Sequence, residues 1–390
     1  MILNNVRLID GTGRVWDSAA IQIDGARIAA VTEALDPATA EGEVLDLKGK
    51  VVMPGMINAH THICLDGSPD PDAAWQQRSI TENVLVAADH ARRTLKAGIT
   101  TVRDLGGVEG VDLGLRDAIN AGLVPGPRML VSGLLLCMTG GHGWSMGREV
   151  DGPAEVRKGA REQLKAGADV IKVMATGGVM TRGVDPGSAQ LTYEEMRAAV
   201  EEAQKAGKIT ATHAQGTAGI KDAIRAGIGS IEHGFFLDRE AIDMMLERDV
   251  YFVPTLAALY YILEGGTEAG IPAFMVEKAR RAEEAQLDSF RRAREAGVLI
   301  AAGNDGGTPF NTSDNLAGEL ECMVRAGMTP AEALATAHAK GASLLRLDDE
   351  IGTVEPGKKA DLVVLDADPL NDINAVRQVH TVVKDGKAAD

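Results

Sequence analysis

A strand–loop–helix pattern that recurs eight times between two β-rich ends predicts an α/β fold. The expected architecture is a (β/α)8 TIM-type barrel with a small β-sandwich domain formed by the two chain ends. Three observations carry this expectation. First, eight short apolar runs stand in order: MPGMINAH, ITTVRDL, RMLVSGL, VIKVMAT, ITATHA, SIEHG, YFVPT and VLIAAGND. Second, helix-like segments such as AAVEEAQKAG and MVEKARRAEEAQLDSFRRAREAG separate them. Several of these end in Ala-Gly (Ala97-Gly98, Ala166-Gly167, Ala206-Gly207, Ala226-Gly227, Ala296-Gly297), where glycine supplies a left-handed cap before the next strand. Third, neither end holds enough strands to close a sheet alone.

The elements of the ends follow from alternation and turn chemistry. AIQIDGARIAAVTE alternates around Asp24-Gly25, and VLDLKGKVVMPG turns at Lys48-Gly49. IGTVEPGKKADLVVLDADP and VHTVVKDGKAAD repeat the pattern, with a turn at Asp385-Gly386. Residues 1–53 and 346–390 are therefore expected to form one composite β domain, and residues 54–345 the barrel.

Composition narrows the partners. The chain of 390 residues is 45% hydrophobic and 25% charged, an ordinary globular profile. Its 40 Lys+Arg against 56 Asp+Glu leave a net charge of −16, which disfavours nucleic acid and anionic membrane as partners. Cys64, Cys137 and Cys322 form no CxxC pair, which argues against a disulfide framework or a thiolate zinc site and fits a reducing compartment. MILNNVRLIDGTG lacks the features of a signal peptide, and no apolar stretch approaches the roughly 18 residues of a membrane span. The reading is cytoplasmic, with a small-molecule substrate and a homo-oligomeric state.

Metal-competent residues recur at the C-terminal ends of the runs, where barrels build their sites. His60 and His62 close the first run; two apart on a strand, they face the same way. Lys172 lies inside VIKVM, His213 ends TATHA, His233 ends SIEHG and Asp305 ends AAGND. Imidazole and carboxylate suit zinc and similar divalent ions. An ammonium in an apolar strand beside metals would cost several kcal/mol. A neutral Lys172 amine, in contrast, can react with carbon dioxide to give an anionic carbamate that fits between two cations.

Each residue also has a plainer reading. A lone histidine at a strand end is more often packed or solvated than ligating, Lys172 alone could snorkel, and Asp305 could cap the following helix. His142, in TGGHGW, could sit idle on a mobile loop. The register of six such groups on one face outweighs these readings. His90, His338, His380, Asp104 and the Glu201-Glu202 pair are assigned to structure. Thr176-Gly177-Gly178 is not followed by the GK[ST] of a phosphate loop. The GxSxG and Cys-His nucleophile patterns are absent, which disfavours covalent catalysis.

MPGMINAHTH, the terminal ADLVVLDADPL and this residue set resemble the urease-related amidohydrolase superfamily over nearly the whole chain. IKVMATGGVMT and GGHG resemble its prolidase-like branch of Xaa-Pro or Xaa-Arg dipeptidases. The resemblance implies two divalent metals, expected to be zinc. His60, His62 and Asp305 would hold one, His213 and His233 the other, and a carboxylated Lys172 would bridge them. The implied reaction is hydrolysis of a dipeptide or N-acyl amino acid. A water shared by two cations would ionise near pH ~7 and the hydroxide would attack the carbonyl. Asp305 would carry the proton to the leaving amine, and His142 would stabilise the oxyanion.

Arg182, Tyr260 and Tyr261 are candidates for the substrate carboxylate. Specificity is expected in the loops 66–80, 137–152, 177–190 and 256–272, with Trp75, Trp144, Tyr260, Tyr261 and Phe310 as candidate pocket aromatics. Competing readings are a hydrolase of non-peptide amides, carbamates or ureas with the same site, and a non-catalytic barrel scaffold. A scaffold would show a missing ligand, and none is missing. A mononuclear deaminase leaves the lysine without a use, and a glycosidase needs paired carboxylates.

Overall fold

The computed structural model describes residues 1–35 and 43–389; the stretch 36–42 of the expected N-terminal β region, and residue 390, lie outside it. From the N-terminal side come strands β1 (Ile2–Ile9), β2 (Val15–Asp24), β3 (Arg27–Glu33), β4 (Val44–Asp46) and β5 (Val51–Pro54). Two of their turns form where the sequence marks them, with Gly25 and Gly49 at φ of 55° and 85°, a region that favours glycine.

Nine strands follow: β6 (Met56–Thr61), β7 (Ile99–Asp104), β8 (Arg128–Val131), β9 (Leu135–Cys137), β10 (Gly147–Glu149), β11 (Val170–Met174), β12 (Ile209–Ala214), β13 (Ser230–His233) and β14 (Tyr251–Val253). They form two parallel sheets, ordered β6-β7-β8 and β10-β9-β11-β12-β13-β14. Every residue of β6, β7, β11 and β13 is buried, as parallel strands covered on both faces require. The intervening helices end as expected: Gly98, Gly167, Gly207, Gly227 and Gly297 all take φ between 67° and 97°. The short strands β9 and β10 were not expected from the sequence.

The eighth apolar run departs from a regular strand. Ile300 makes a single parallel bridge to Phe252, and Gly306 one to Thr61. Hydrogen bonds from Ala59 N to Ala302 O (2.8 Å) and from Asp305 N to His60 O (2.9 Å) lay the segment alongside β6. The segment passes close to β6 where only glycine fits, and its backbone turns at Asp305. A Cβ on Gly303 would stand 2.7 Å from the His60 Cβ, and Asp305 turns to φ 55°. On the other flank, Asp169 N donates to Val131 O at 2.8 Å, joining β8 to the start of β11. The expected eight-stranded ring is thus seen as two parallel sheets and one irregular segment.

The chain returns through β15 (Leu362–Leu365), β16 (Val379–Lys384) and β17 (Lys387–Ala388). β15 pairs antiparallel with β5, with Val364 opposite Val52. The two ends therefore meet, in one eight-stranded sheet ordered β17-β16-β15-β5-β1-β2-β3 with β4 beside β1. The sequence reading expected a sandwich; the pairing among the described residues gives a single sheet. Short alternating runs reveal strands but not how many sheets they share, because partners are set in three dimensions. Leu3, Leu8, Ile21, Ile28, Leu362 and Val364 build its own apolar core. No described helix is long and apolar enough to cross a membrane. Cys64, Cys137 and Cys322 are buried and unpaired.

Candidate metal centre

Three of the expected residues converge closely. Ligand atoms of His60, His62 and Asp305 all lie within 4.8 Å of one another. The Nε2 atoms of His60 and His62 approach Asp305 Oδ1 at 3.2 and 3.4 Å. His233 joins them, with its ring 5.0 Å from that of His60. His213 stands 4.5 Å from His233 and His142 4.3 Å from His213, ring to ring. Lys172, 2% exposed on β11, faces the same cleft. Burial lowers its ammonium to about 8, so a useful fraction is the neutral amine near neutral pH.

The fold decides which ring nitrogen each histidine keeps free. His60 Nδ1 donates to Glu232 Oε2 (2.8 Å), His62 Nδ1 to Gly106 O (3.2 Å) and His213 Nε2 to Gly177 O (2.9 Å). Carboxylates and carbonyls only accept, so these nitrogens carry the protons and the opposite ones keep a lone pair. His233 Nδ1 is engaged by Thr255 Oγ1 at 2.7 Å. Histidines that bind metals are oriented in this way.

Behind His60 stands a network that sequence reading missed. Arg103 on β7 and Glu232 on β13 are fully buried. The guanidinium donates to Ala59 O (2.6 Å), Ser230 Oγ (3.0 Å) and Glu232 Oε1 (2.8 Å). Burial alone would raise the Glu232 carboxyl, but Arg103 and His60 hold it at about 2. A signal was present: ITTVRDL and SIEHG each carry a charge in an apolar strand, and buried charges need partners. Asp104, read as structural, accepts from Ile63 N (2.7 Å) and Gly106 N (3.2 Å), fixing the turn after His62.

The dismissed Thr176-Gly177-Gly178 segment opens a strap over the other side. Gly177 O receives His213, and Thr181 Oγ1 lies 2.8 Å from His142 Nδ1. Because Thr181 Oγ1 also accepts from Gly143 N (3.1 Å), its own proton is available to Nδ1. With Nδ1 as acceptor, the neutral ring carries its proton on Nε2. Burial and nearby Lys278 push His142 down to about 3, so the ring is neutral. The buried Lys278 ammonium anchors the strap on Gly178 O (3.0 Å) and Thr181 O (2.6 Å). Three non-glycine residues around the site take left-handed backbone: His233 (φ 72°), Thr255 (50°) and Asp305 (55°). Such strain persists only where the surroundings enforce it.

All four expected specificity segments reach the cleft, through Asp72, His142, Thr181 and Leu259 among others. The last forms a helix, Leu256–Gly265, rather than a loop. The expected aromatics do not line it. Phe235 does, with Leu65, Leu135, Met174, Met180 and Ile262. Arg182 instead stacks on Phe274, and Tyr260 lies under Arg325. No arginine lines the cleft among the described residues.

The donor set fits a divalent metal. Nitrogen and carboxylate donors match the ion's preference. In addition, His60 Nε2 is buried without a hydrogen-bond partner, an arrangement that costs ~1–3 kcal/mol unless something ligates it. Parallel strands ending in such a cluster fit a metal-dependent hydrolase. The chain belongs to the amidohydrolase family, whose sequence pattern matches residues 51–389.

Similar proteins refine the class. Ochratoxinase from Aspergillus niger is 33% identical over 361 residues, covering 85% of this chain and 73% of that protein. Its crystal structure matches with a TM-score of 0.87 at 30% identity, over 99% of this chain and 94% of that one. A Xaa-Pro dipeptidase with methionine bound in its active site matches at 0.91 and 34% identity, over 99% and 98%. A prolidase complexed with N-methylphosphonate-L-proline matches at 0.92 and 30%, over 99% and 98%.

Proposed function

We propose that the protein is a binuclear hydrolase of dipeptides or N-acyl amino acids. One observation carries the reading: four histidines, each with one ring nitrogen engaged by the fold, surround Asp305 and a buried lysine of lowered basicity. His60, His62 and Asp305 would hold one cation, His213 and His233 the other, and carboxylated Lys172 would bridge them. The two parallel sheets and residues 298–305 are read as one (β/α)8 barrel spanning 54–345, with 1–53 and 346–390 as its attached domain.

When bound, two divalent cations, expected to be zinc, would polarise the substrate carbonyl and acidify a water. The chain's own residues do the rest. Asp305 accepts a proton from the attacking water and returns it to the leaving amine. The Nε2 atoms of His60 and His62 stand 3.2 and 3.4 Å from its Oδ1, and beside the cations they would hold there its carboxyl would stay ionised, ready to accept. His142 offers its Nε2–H to the developing oxyanion, and the apolar wall excludes bulk water.

The test is amino-acid release from a library of dipeptides and N-acyl amino acids, using zinc-loaded enzyme in bicarbonate. Turnover of a subset supports the reading. Silence across the library with two metals bound per chain overturns it in favour of a non-peptide amide, carbamate or urea, a reading the arginine-free, largely apolar cleft also accommodates. Lys172 is tested separately: reconstitution without bicarbonate should lower both activity and second-metal uptake. No effect there, with an unmodified Lys172 in the electron density of crystals, removes the carbamate.

A further inference from the structure

The cleft contains one carboxylate that the reaction does not use. Asp72 lines it together with His62 and Asp305. Its acidic neighbours in the same segment are already engaged. Asp66 pairs with Arg78 and accepts from Ser68 N, and Asp70 caps the short helix Pro71–Gln77 by accepting from Ala73 N at 3.2 Å. Asp72 makes no ion pair among the described residues. The adjoining surface is mostly apolar, including Leu65, Phe235 and Ile262. The side-chain neighbour of Asp72 on the helix is Trp75, but no cation pairs with it, since the lysine lining the cleft, Lys172, belongs to the metal cluster.

We propose that Asp72 receives the α-ammonium of the substrate and so selects dipeptides with a free amine over N-acyl amino acids that lack one. The inference rests on the amide-hydrolase reading and sharpens it. In a dipeptide the ammonium sits on the carbon next to the scissile carbonyl. Asp72 lines the same cleft as His62 and Asp305, so a substrate held at that centre shares the cavity with this carboxylate. A cation delivered by the substrate completes a charge-assisted pair inside the cleft, and an analogue without it leaves the acid unpaired.

The experiment compares leucyl-methionine with 4-methylpentanoyl-methionine, the same amide without the amine, on wild type and Asp72→Asn. Calorimetry of L-leucine and 4-methylpentanoate, the two acid products, runs alongside. The expected result is a preference of about 10- to 100-fold in kcat/KM for the amine-bearing substrate, the range of one charged hydrogen bond. Asp72→Asn should erase it by slowing leucyl-methionine alone and should weaken L-leucine binding alone. Equal treatment of both members by wild type overturns the proposal, as does an equal loss on both in the variant, which would make Asp72 merely a first-turn helix acid. Should neither amide be cleaved, the amide-hydrolase reading fails for this pair, and the binding comparison still decides the role of Asp72.

Discussion

The two sides of the centre are built differently. His60 sits on the fully buried strand β6 and His62 just beyond its end, and a charged chain backs His60: Glu232 on β13, then Arg103 on β7, each hydrogen-bonded and excluded from solvent. His213 and His233 are oriented by neutral groups on connecting segments, the Gly177 carbonyl and the Thr255 hydroxyl. A carboxylate behind an imidazole raises its basicity and fixes its ring, whereas a carbonyl or hydroxyl mainly fixes the ring. On the proposed binuclear reading, the first side should therefore be the tighter metal site. The second should be the adjustable one, tied to the strap that holds His142 through Thr181.

The largest effect expected from testing this contrast comes from Asp305, which faces both sides. Asp305→Asn should keep the fold, because asparagine also tolerates φ 55°. Turnover should fall by about 10²–10⁴, the worth of a positioned proton carrier, with circular dichroism unchanged. Near-normal turnover would remove the proton-carrier role. Next, Glu232→Gln should weaken the tighter metal by about 10- to 100-fold in chelator competition, and Thr255→Val should weaken the other by less. The reverse order would break the comparison.

Smaller effects lie in the supports of the adjustable side. Lys278→Met strips the strap of its donor to two carbonyls and should cost about 1–3 kcal/mol in urea unfolding, with Gly178 and Thr181 exchanging amide hydrogens faster. The smallest concerns Glu319, which accepts from Leu256 N (3.0 Å) and Ala257 N (2.7 Å) beside Thr255. Burial raises its carboxyl from 4.5 to about 8, so the folded state holds this proton longer than the unfolded one. Its contribution is fullest below pH 4.5 and declines as pH rises to about 8. Unfolding midpoints of wild type should fall across that window relative to Glu319→Gln.

Legibility divides along the same line. His60, His62, His213, His233, Lys172 and Asp305 could be picked from sequence because each is a polar residue at a strand position that a barrel exposes to its mouth. The Ala-Gly caps were equally legible, since a left-handed residue after a helix leaves a local mark. Arg103 with Glu232, and Thr181 with His142, were not. Their partners lie 129 and 39 residues apart, and only the folded chain says which buried charge answers which. The eighth run kept its composition but not its regularity, pairing through isolated bridges at Ile300 and Gly306, and composition does not show where a ladder breaks. The pocket aromatics failed for a related reason: helix Leu256–Gly265 turns Tyr260 and Tyr261 away from the cleft, and Phe235 was not singled out.

The pairing of β5 with β15 has a consequence in time. Pro54 lies opposite Leu362, so strands made early in synthesis wait for roughly 300 further residues before their sheet can form. At ribosomal speeds that is on the order of 15–60 seconds with an unpaired edge exposed. β1 to β3 can pair among themselves meanwhile. The nascent chain should therefore carry a half-built sheet that waits for the last strands to complete it, and a ribosome stalled before β15 should display it to chaperones and proteases.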